Sequence, residues 1–131
     1  MEEHPNVERL RRGYAAYASG DIDTIDDLFS DDIRWHVVGR SPIAGDYEGK
    51  EEVYGFFTTL MELTGGTAQL EVHDLLANDT HGVALVKSTA SRDGRTHTSN
   101  LVHVFHLEDG RATEFWSHPG DPYGDDEFFS S

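Results

Sequence analysis

Histidine is the residue type that offers this chain the most chemistry. Eight histidines occur among 131 residues, and cysteine is absent, which excludes thiol nucleophiles and thiolate metal sites. A histidine in a partly dry environment can donate a hydrogen bond or act as a general acid or base, because its ordinary pKa lies near neutrality. The stretch 95–107 alternates like a strand and places His97 and His103 on one face, with His106 on the other.

The segment DDIRWHVVG at 31–39 raises a similar question of orientation. Trp35 and His36 are neighbours on a predicted strand, so their side chains point to opposite faces. Ile33, Trp35 and Val37 form the more apolar set, and an alternating strand buries its more apolar face. We therefore expect Trp35 to point inward, either as a flat wall for an apolar ligand or as ordinary core.

The spacing of the histidines gives little support to metal or nucleotide chemistry. No two histidines stand four residues apart on a predicted helix, His103 and His106 fall on opposite strand faces, and no HExxH arrangement occurs. Gly-rich phosphate loops, GxSxG and dinucleotide fingerprints are also missing from the sequence. We expect no metal site.

The elements that must position these residues follow from the hydrophobic spacing, which predicts three helices and then mainly strands. Apolar residues recur at helical intervals between Pro5 and Gly20, from Ile22 to Phe29, and from Val53 to Leu60. After an isolated strand at 33–38, the period changes to two and predicts strands at 67–77, 82–92, 95–107 and 111–118. The Gly- and Pro-rich segment 39–49 is typical of a loop, and the tail from Pro119 carries aromatic residues that could hold it in place.

Two Asp-Gly pairs, Asp93-Gly94 and Asp109-Gly110, separate the last three strands and predict tight hairpins, because both residue types tolerate positive φ. Helices segregated from a mostly antiparallel sheet make an α+β domain. The length suits one such domain over residues 1–131. Its curved sheet and the apolar helix stripes would enclose a mostly apolar space.

The charge of the chain restricts its partners. The formal net charge is −15, from 25 acidic and 10 basic residues, so nucleic acid and anionic membranes would be repelled. No apolar run reaches membrane-spanning length, and the opening MEEHPNVERLRR lacks the apolar stretch of a signal peptide, so we expect a soluble cytoplasmic protein. An acidic surface with two lysines also suggests adaptation to high salt, where screening reduces self-repulsion.

Several stretches together resemble the nuclear-transport-factor-two-like superfamily, in particular its SnoaL-like branch, which includes polyketide cyclases and is related to ketosteroid isomerases. The matching stretches are YAAYASGDIDTIDDLFSDDIRWHVVG, PIAGDYEGKEEVYGFF, VHVFHLEDGRATEFW and DPYGDDEFF. The resemblance covers nearly the whole chain. It implies a cone-shaped α+β fold with three N-terminal helices on a curved sheet, an internal pocket, and a homodimer that uses the outer sheet face.

The resemblance also points to particular residues. His103 falls near the position where ketosteroid isomerases hold an oxyanion with an acid, and His36 falls near the position of their general-base aspartate. Because no aspartate stands at that position and Tyr14 lies one residue from the expected catalytic tyrosine, a ketosteroid isomerase of the usual kind is disfavoured. For cyclase chemistry the acid–base candidates are His103, His118, Glu114 and Asp121.

We therefore predict a pocket for a small apolar or amphipathic carbonyl compound, with His103 and His36 as catalytic candidates. The expected wall residues are Tyr14, Tyr17, Trp35, Phe56, Leu60, Trp116 and His118. An enzyme of this kind would need no cofactor and would catalyse isomerisation, cyclisation or dehydration. Two alternatives stay open, namely a non-catalytic ligand carrier or sensor and a dimeric interaction module whose cavity is filled by its own side chains.

Overall fold

Four helices and one six-stranded sheet make up the computed structural model, which describes residues 3–130. The helices are α1 (Pro5–Ser19), α2 (Ile22–Leu28), α3 (Gly49–Thr64) and α4 (Pro122–Ser130); the strands are β1 (Phe29–Val37), β2 (Gly45–Glu48), β3 (Gln69–Ala77), β4 (His81–Arg92), β5 (Arg95–Glu108) and β6 (Arg111–Pro119). The strand order is β2-β1-β6-β5-β4-β3. All neighbours are antiparallel except β1 and β6, which are parallel. The predicted α+β class is confirmed.

The first two helices begin and end where the sequence predicts. Pro5 occupies the first turn of α1, and Gly20 ends that helix in the left-handed conformation, with φ of 73°. The carboxylate of Asp21 then accepts a hydrogen bond from the backbone N–H of Thr24 at 3.1 Å, which caps α2. None of the helices within residues 3–130 is long and apolar enough to cross a membrane.

The two Asp-Gly turns set the register of the sheet. Asp93 and Gly94 have φ of 52° and 76°, and Asp109 and Gly110 have φ of 53° and 80°. Positive φ at both central residues is the geometry of a two-residue hairpin whose twist matches that of its strands. The register of β5 against its two neighbours, and hence the face on which each β5 side chain lies, follows from these turns.

Three features differ from the sequence prediction. β1 begins at Phe29 rather than at 33 and pairs in parallel with β6. The predicted loop 39–49 contains the short strand β2, which pairs with β1. The tail forms α4, which begins within an Asp-Pro pair: Asp121 accepts a hydrogen bond from the N–H of Gly124 at 3.0 Å, and Pro122 occupies the first helical position.

The core lies between the concave face of the sheet and the helices α1 and α3. Ile33 of β1 and Val53 of α3 have no exposed surface, and Leu10 brings α1 onto β4 and β5. Gly82 is the residue of β4 that admits Leu10. A Cβ atom at Gly82 would lie 2.7 Å from one Leu10 methyl and 3.5 Å from a Leu107 methyl.

Replacing Gly82 with alanine should lower the free energy of unfolding by about 1–3 kcal/mol, because Leu10 is itself buried against Leu107 and cannot move aside freely. Gly55→Ala is the matched control: its added methyl group meets nothing within 4 Å on the exposed side of α3 and should stabilise the protein by up to about 1 kcal/mol. Urea denaturation of both variants measures the difference. A Gly82→Ala variant as stable as wild type would contradict the close packing of α1 on β4.

Candidate functional site

An apolar cavity of about 170 Å³ lies between the inner face of the sheet and the helices. A cavity of ~150 Å³ admits benzene, so the enclosed part suits one six-membered ring. The aromatic residues of its wall are Tyr14, Tyr17, Phe29, Trp35, Phe56, Phe57, Phe105, Phe115 and Phe129. The wall therefore includes five of the seven predicted wall residues, namely Tyr14, Tyr17, Trp35, Phe56 and Leu60. Their role in binding stays a prediction.

Trp35 points inward, as the strand pattern predicted. Its side chain is buried, stacks on Phe115 with ring centroids 3.6 Å apart, and meets Phe57 edge-on at 5.4 Å. The indole N–H has no hydrogen-bond partner among the described residues. Trp35 therefore belongs to the core and also lines the cavity. The sequence had left these two positions open as alternatives.

A hydrogen-bonded pair of polar side chains lies on the cavity wall. The Tyr14 hydroxyl of α1 lies 2.6 Å from Nδ1 of His103 on β5, and the two rings are nearly parallel. Burial lowers the pKa of His103 to about 3, and the charge of His118 adds to this effect. Burial also raises the pKa of Tyr14 well above its ordinary value. Both groups are therefore neutral at ordinary pH.

A neutral tyrosine–histidine pair leaves one proton available for a ligand. When Tyr14 donates to Nδ1, the free nitrogen Nε2 of His103 carries a proton; when Nδ1 donates, the tyrosine O–H is free. Either arrangement gives a hydrogen-bond donor in surroundings of low dielectric, where it interacts strongly with a carbonyl oxygen. The same burial makes His103 a weak base, because the imidazolium form loses its hydration.

A second polar pair lies on the wall of the same cavity. Nε2 of His97 lies 2.5 Å from a carboxylate oxygen of Asp125 on α4, and both side chains are largely buried. Phe128, also on α4, stacks on the imidazole with ring centroids 5.1 Å apart. The shared parity of His97 and His103 was visible in the sequence, but nothing near Asp125 indicated that α4 would reach β5.

His36 lies on the outer face of the sheet, so the prediction that it acts in the cavity was wrong. Its two ring nitrogens lie 2.6 Å from a carboxylate oxygen of Asp46 and 2.7 Å from one of Glu114, and the ring stacks on Trp116. Burial by itself would lower the pKa of His36, but the hydrogen bonds to Asp46 and Glu114 raise it. His36 is thus part of an ion-pair network on the far side of the sheet from Tyr14.

Trp116 and His118 also lie on the outer face, and their placement on the cavity wall was wrong for a definable reason. His106 pairs with Glu114, whereas the next residue of β5 pairs with Ala112, so Thr113 is an extra residue that forms a β-bulge. The bulge shifts the alternation by one residue. Phe115, which stacks on Trp35, therefore supplies the second aromatic wall.

The remaining acid–base candidates have structural partners outside the cavity. Glu114 contacts His36, His106 and Arg34 on the outer face. Asp121 caps α4. Within residues 3–130, no three His, Cys, Asp or Glu side chains are arranged to hold a metal ion.

The curved sheet, the helices on its concave face and the enclosed cavity define an α+β fold of the nuclear-transport-factor-two-like kind. The chain belongs to the family of SnoaL-like domains, whose family model matches residues 10–115. This membership confirms the resemblance found in the sequence.

Similar proteins cover nearly the whole chain. Bal32a, from a soil-derived mobile gene cassette, is 37% identical, with a TM-score of 0.90 over 95% of each chain. The uncharacterised protein Rv0034 of Mycobacterium tuberculosis is 25% identical over 131 residues, which are 99% of this chain and 100% of that protein. IdmH, a proposed polyketide cyclase from Streptomyces antibioticus, is 17% identical, with a TM-score of 0.75 over 90% of this chain and 94% of its own, and shows a shared fold alone.

The burial of His103 predicts an unusual titration. The imidazole should stay neutral as the pH falls from 8 through its ordinary pKa near 6.5, because its folded-state pKa is about 3. Between about pH 6.5 and pH 3 the unfolded chain binds a proton at His103 and the folded protein does not. His103 should therefore lower the free energy of unfolding as the pH falls through that range. NMR of the histidine side chains, assigned with His103→Gln, measures the titration; a His103 midpoint near 6.5 would contradict the dry site. In Tyr14→Phe the midpoint should stay low, since burial is its cause.

Proposed function

We propose that this protein binds a small apolar or amphipathic carbonyl compound in the internal cavity, with the carbonyl oxygen accepting a hydrogen bond from the Tyr14–His103 pair. The observation that carries the proposal is the pair itself, a neutral donor in a mostly apolar wall. A neutral acceptor suits it, because a carboxylate or phosphate would enter a protein of formal net charge −15.

The open space in the cavity favours ligand binding over the interaction module with a filled cavity. Tyr14, Phe57 and Phe129, the residues most suited to filling it, line the space instead of occupying it. The curved aromatic surface around Trp35 and Phe115 would contact a ring on several sides.

Catalysis is the second candidate, and the donor pair favours it in one respect. A preorganised donor aimed at a carbonyl stabilises an enolate, as isomerisation, cyclisation and dehydration require. Such reactions also need a base near the same carbonyl, and among the described wall residues the imidazoles and carboxylates are His97, His103 and Asp125. His103 is a weak base, and His97 lies six residues away along β5. These positions favour a carrier or sensor.

Binding can be tested with 4-phenylcyclohexanone, using phenylcyclohexane as the matched compound without an acceptor. At a ketone concentration of a hundred times its Kd, binding should add about 2.7 kcal/mol to the free energy of unfolding. We therefore expect the ketone to raise the melting temperature. Tyr14→Phe should weaken ketone binding about tenfold, because it removes either the donor itself or the hydrogen bond that keeps the proton of His103 on Nε2, and it should leave the binding of phenylcyclohexane unchanged. Equal binding of the two compounds to wild type would overturn the proposal.

The same complex separates a carrier from an enzyme. NMR in D₂O follows exchange of the protons beside the carbonyl of bound 4-phenylcyclohexanone. Exchange no faster than in buffer supports a carrier, whereas acceleration that disappears in His103→Gln supports catalysis.

We also propose that the outer sheet face forms a homodimer. Trp116, Val104, Val83 and Leu76 stand opposite one another on β6, β5, β4 and β3, and make an apolar stripe across four strands. Leu76 is 52% exposed and the neighbouring Val102 is 38% exposed. A two-fold axis through such a stripe would place it against itself.

Val104→Asp should convert the dimer to a monomer, because the carboxylate would be buried near its own copy. Thr98→Asp is the control, since it adds the same charge to the same face of β5, six residues from the stripe. Sedimentation equilibrium at high KCl, where the net charge is screened, measures the mass. A wild-type monomer at high protein concentration, or a dimer that Val104→Asp leaves intact, would argue against this interface.

A further inference from the structure

We infer that the His97–Asp125 pair is a second binding point in the cavity and that it recognises a hydroxyl group at the outer end of the ligand. The inference rests on the proposed function, because the carbonyl end of the same molecule is held by Tyr14 and His103. It narrows the ligand class to hydroxy-ketones with an apolar body between two polar ends.

The pair lies on a part of the cavity wall that reaches solvent. The wall residues Trp35, Phe105 and Phe115 are buried. The side chains of His97 and Asp125 are instead 19% and 20% exposed, and the wall residues Leu101 and Pro119, which pair on β5 and β6, are only partly buried. A ligand with its ring in the buried part would meet His97 and Asp125 on its way to solvent.

The hydrogen bond within the pair determines what the pair can bind. The Nε2–H of His97 donates to Oδ1 of Asp125 at 2.5 Å. The second carboxylate oxygen of Asp125 is a further acceptor, because a carboxylate accepts hydrogen bonds at both oxygens. The matching ligand group is a donor, and a hydroxyl fits an apolar body without the cost of burying a further charge.

The spacing of the two polar pairs sets the length of the ligand. His97 and His103 lie on the same face of β5, six residues apart, so their Cα atoms are about 20 Å apart along the strand. With a hydrogen bond of about 3 Å at each end, the ligand's carbonyl and hydroxyl oxygens lie at most about 14 Å apart. Two linked rings fit within that limit.

Anchoring of α4 is the competing explanation for the pair, but α4 has other anchors. Arg92 donates hydrogen bonds to the backbone carbonyls of Phe128 and Phe129 at 3.1 and 2.6 Å, and the Phe128 side chain is buried. These contacts hold the C-terminal turn of α4 without facing the cavity. Arg92→Ala therefore loosens α4 without removing a polar group from the cavity wall, and serves as the control for a purely structural role.

The test uses three ketones that differ at one position: 4-phenylcyclohexanone, 4-(4-hydroxyphenyl)cyclohexanone and 4-(4-methoxyphenyl)cyclohexanone. The methyl ether accepts hydrogen bonds but cannot donate one. Calorimetric titration at about pH 8 should give the hydroxyl compound about tenfold tighter binding than the other two. Asp125→Ala should abolish this preference, because it removes both carboxylate acceptors. Arg92→Ala should preserve the ratio, even if all three bind more weakly.

Each outcome decides a separate question. Binding of 4-phenylcyclohexanone that depends on Tyr14, with no gain from the hydroxyl group, would overturn the second binding point and leave the proposed function standing. The same result holds if the hydroxyl and methoxy compounds gain equally, or if Arg92→Ala removes the preference as fully as Asp125→Ala does. If none of the three ketones binds wild type, the proposed function fails and the second binding point fails with it.

Discussion

The hydrogen bond between Tyr14 and His103 constrains the whole interior. Tyr14 and His103 carry polar atoms at a depth where water cannot satisfy them, so each must face the other, and this fixes the rotation of α1 over the middle of β5. Leu10, one helical turn earlier, then meets the space left by Gly82, and Tyr17, nearly one turn later, meets Phe57. The cavity is the volume that this placement of α1 leaves unfilled.

The two faces of the sheet divide the chemistry of the protein between them. The inner face holds few polar groups, whereas the outer face gathers charge around Glu114, which contacts Arg34, His36 and His106. The pKa of histidine shifts in opposite directions on the two sides: burial lowers the pKa of His103, whereas for His36 the hydrogen bonds to Asp46 and Glu114 outweigh burial and raise the pKa. The residue type alone therefore says little about role until its face of the sheet is known.

The alternation of side chains along a strand predicted correctly which face some residues of the site occupy. It failed for other residues where the alternation is interrupted. Trp35 and His103 could be oriented because β1 and β5 alternate without interruption at those residues. Trp116 and His118 could not, because the extra residue Thr113 leaves no mark in the hydrophobic pattern. The start of α4 had a local signal in Asp121 and Pro122, but the meeting of Asp125 with His97 depends on how a terminal helix folds back, which local spacing does not encode.

The part of the cavity wall that α4 supplies differs from the rest in how it is held in the fold. Most wall residues belong to the sheet or to α1 and α3, where a substitution also alters the core. Asp125 and Phe129 belong instead to a nine-residue helix at the end of the chain, which carries a single buried side chain, Phe128. In evolution, or in the laboratory, a change of this short helix would therefore reshape one part of the cavity wall while the rest of the wall and the core stay the same.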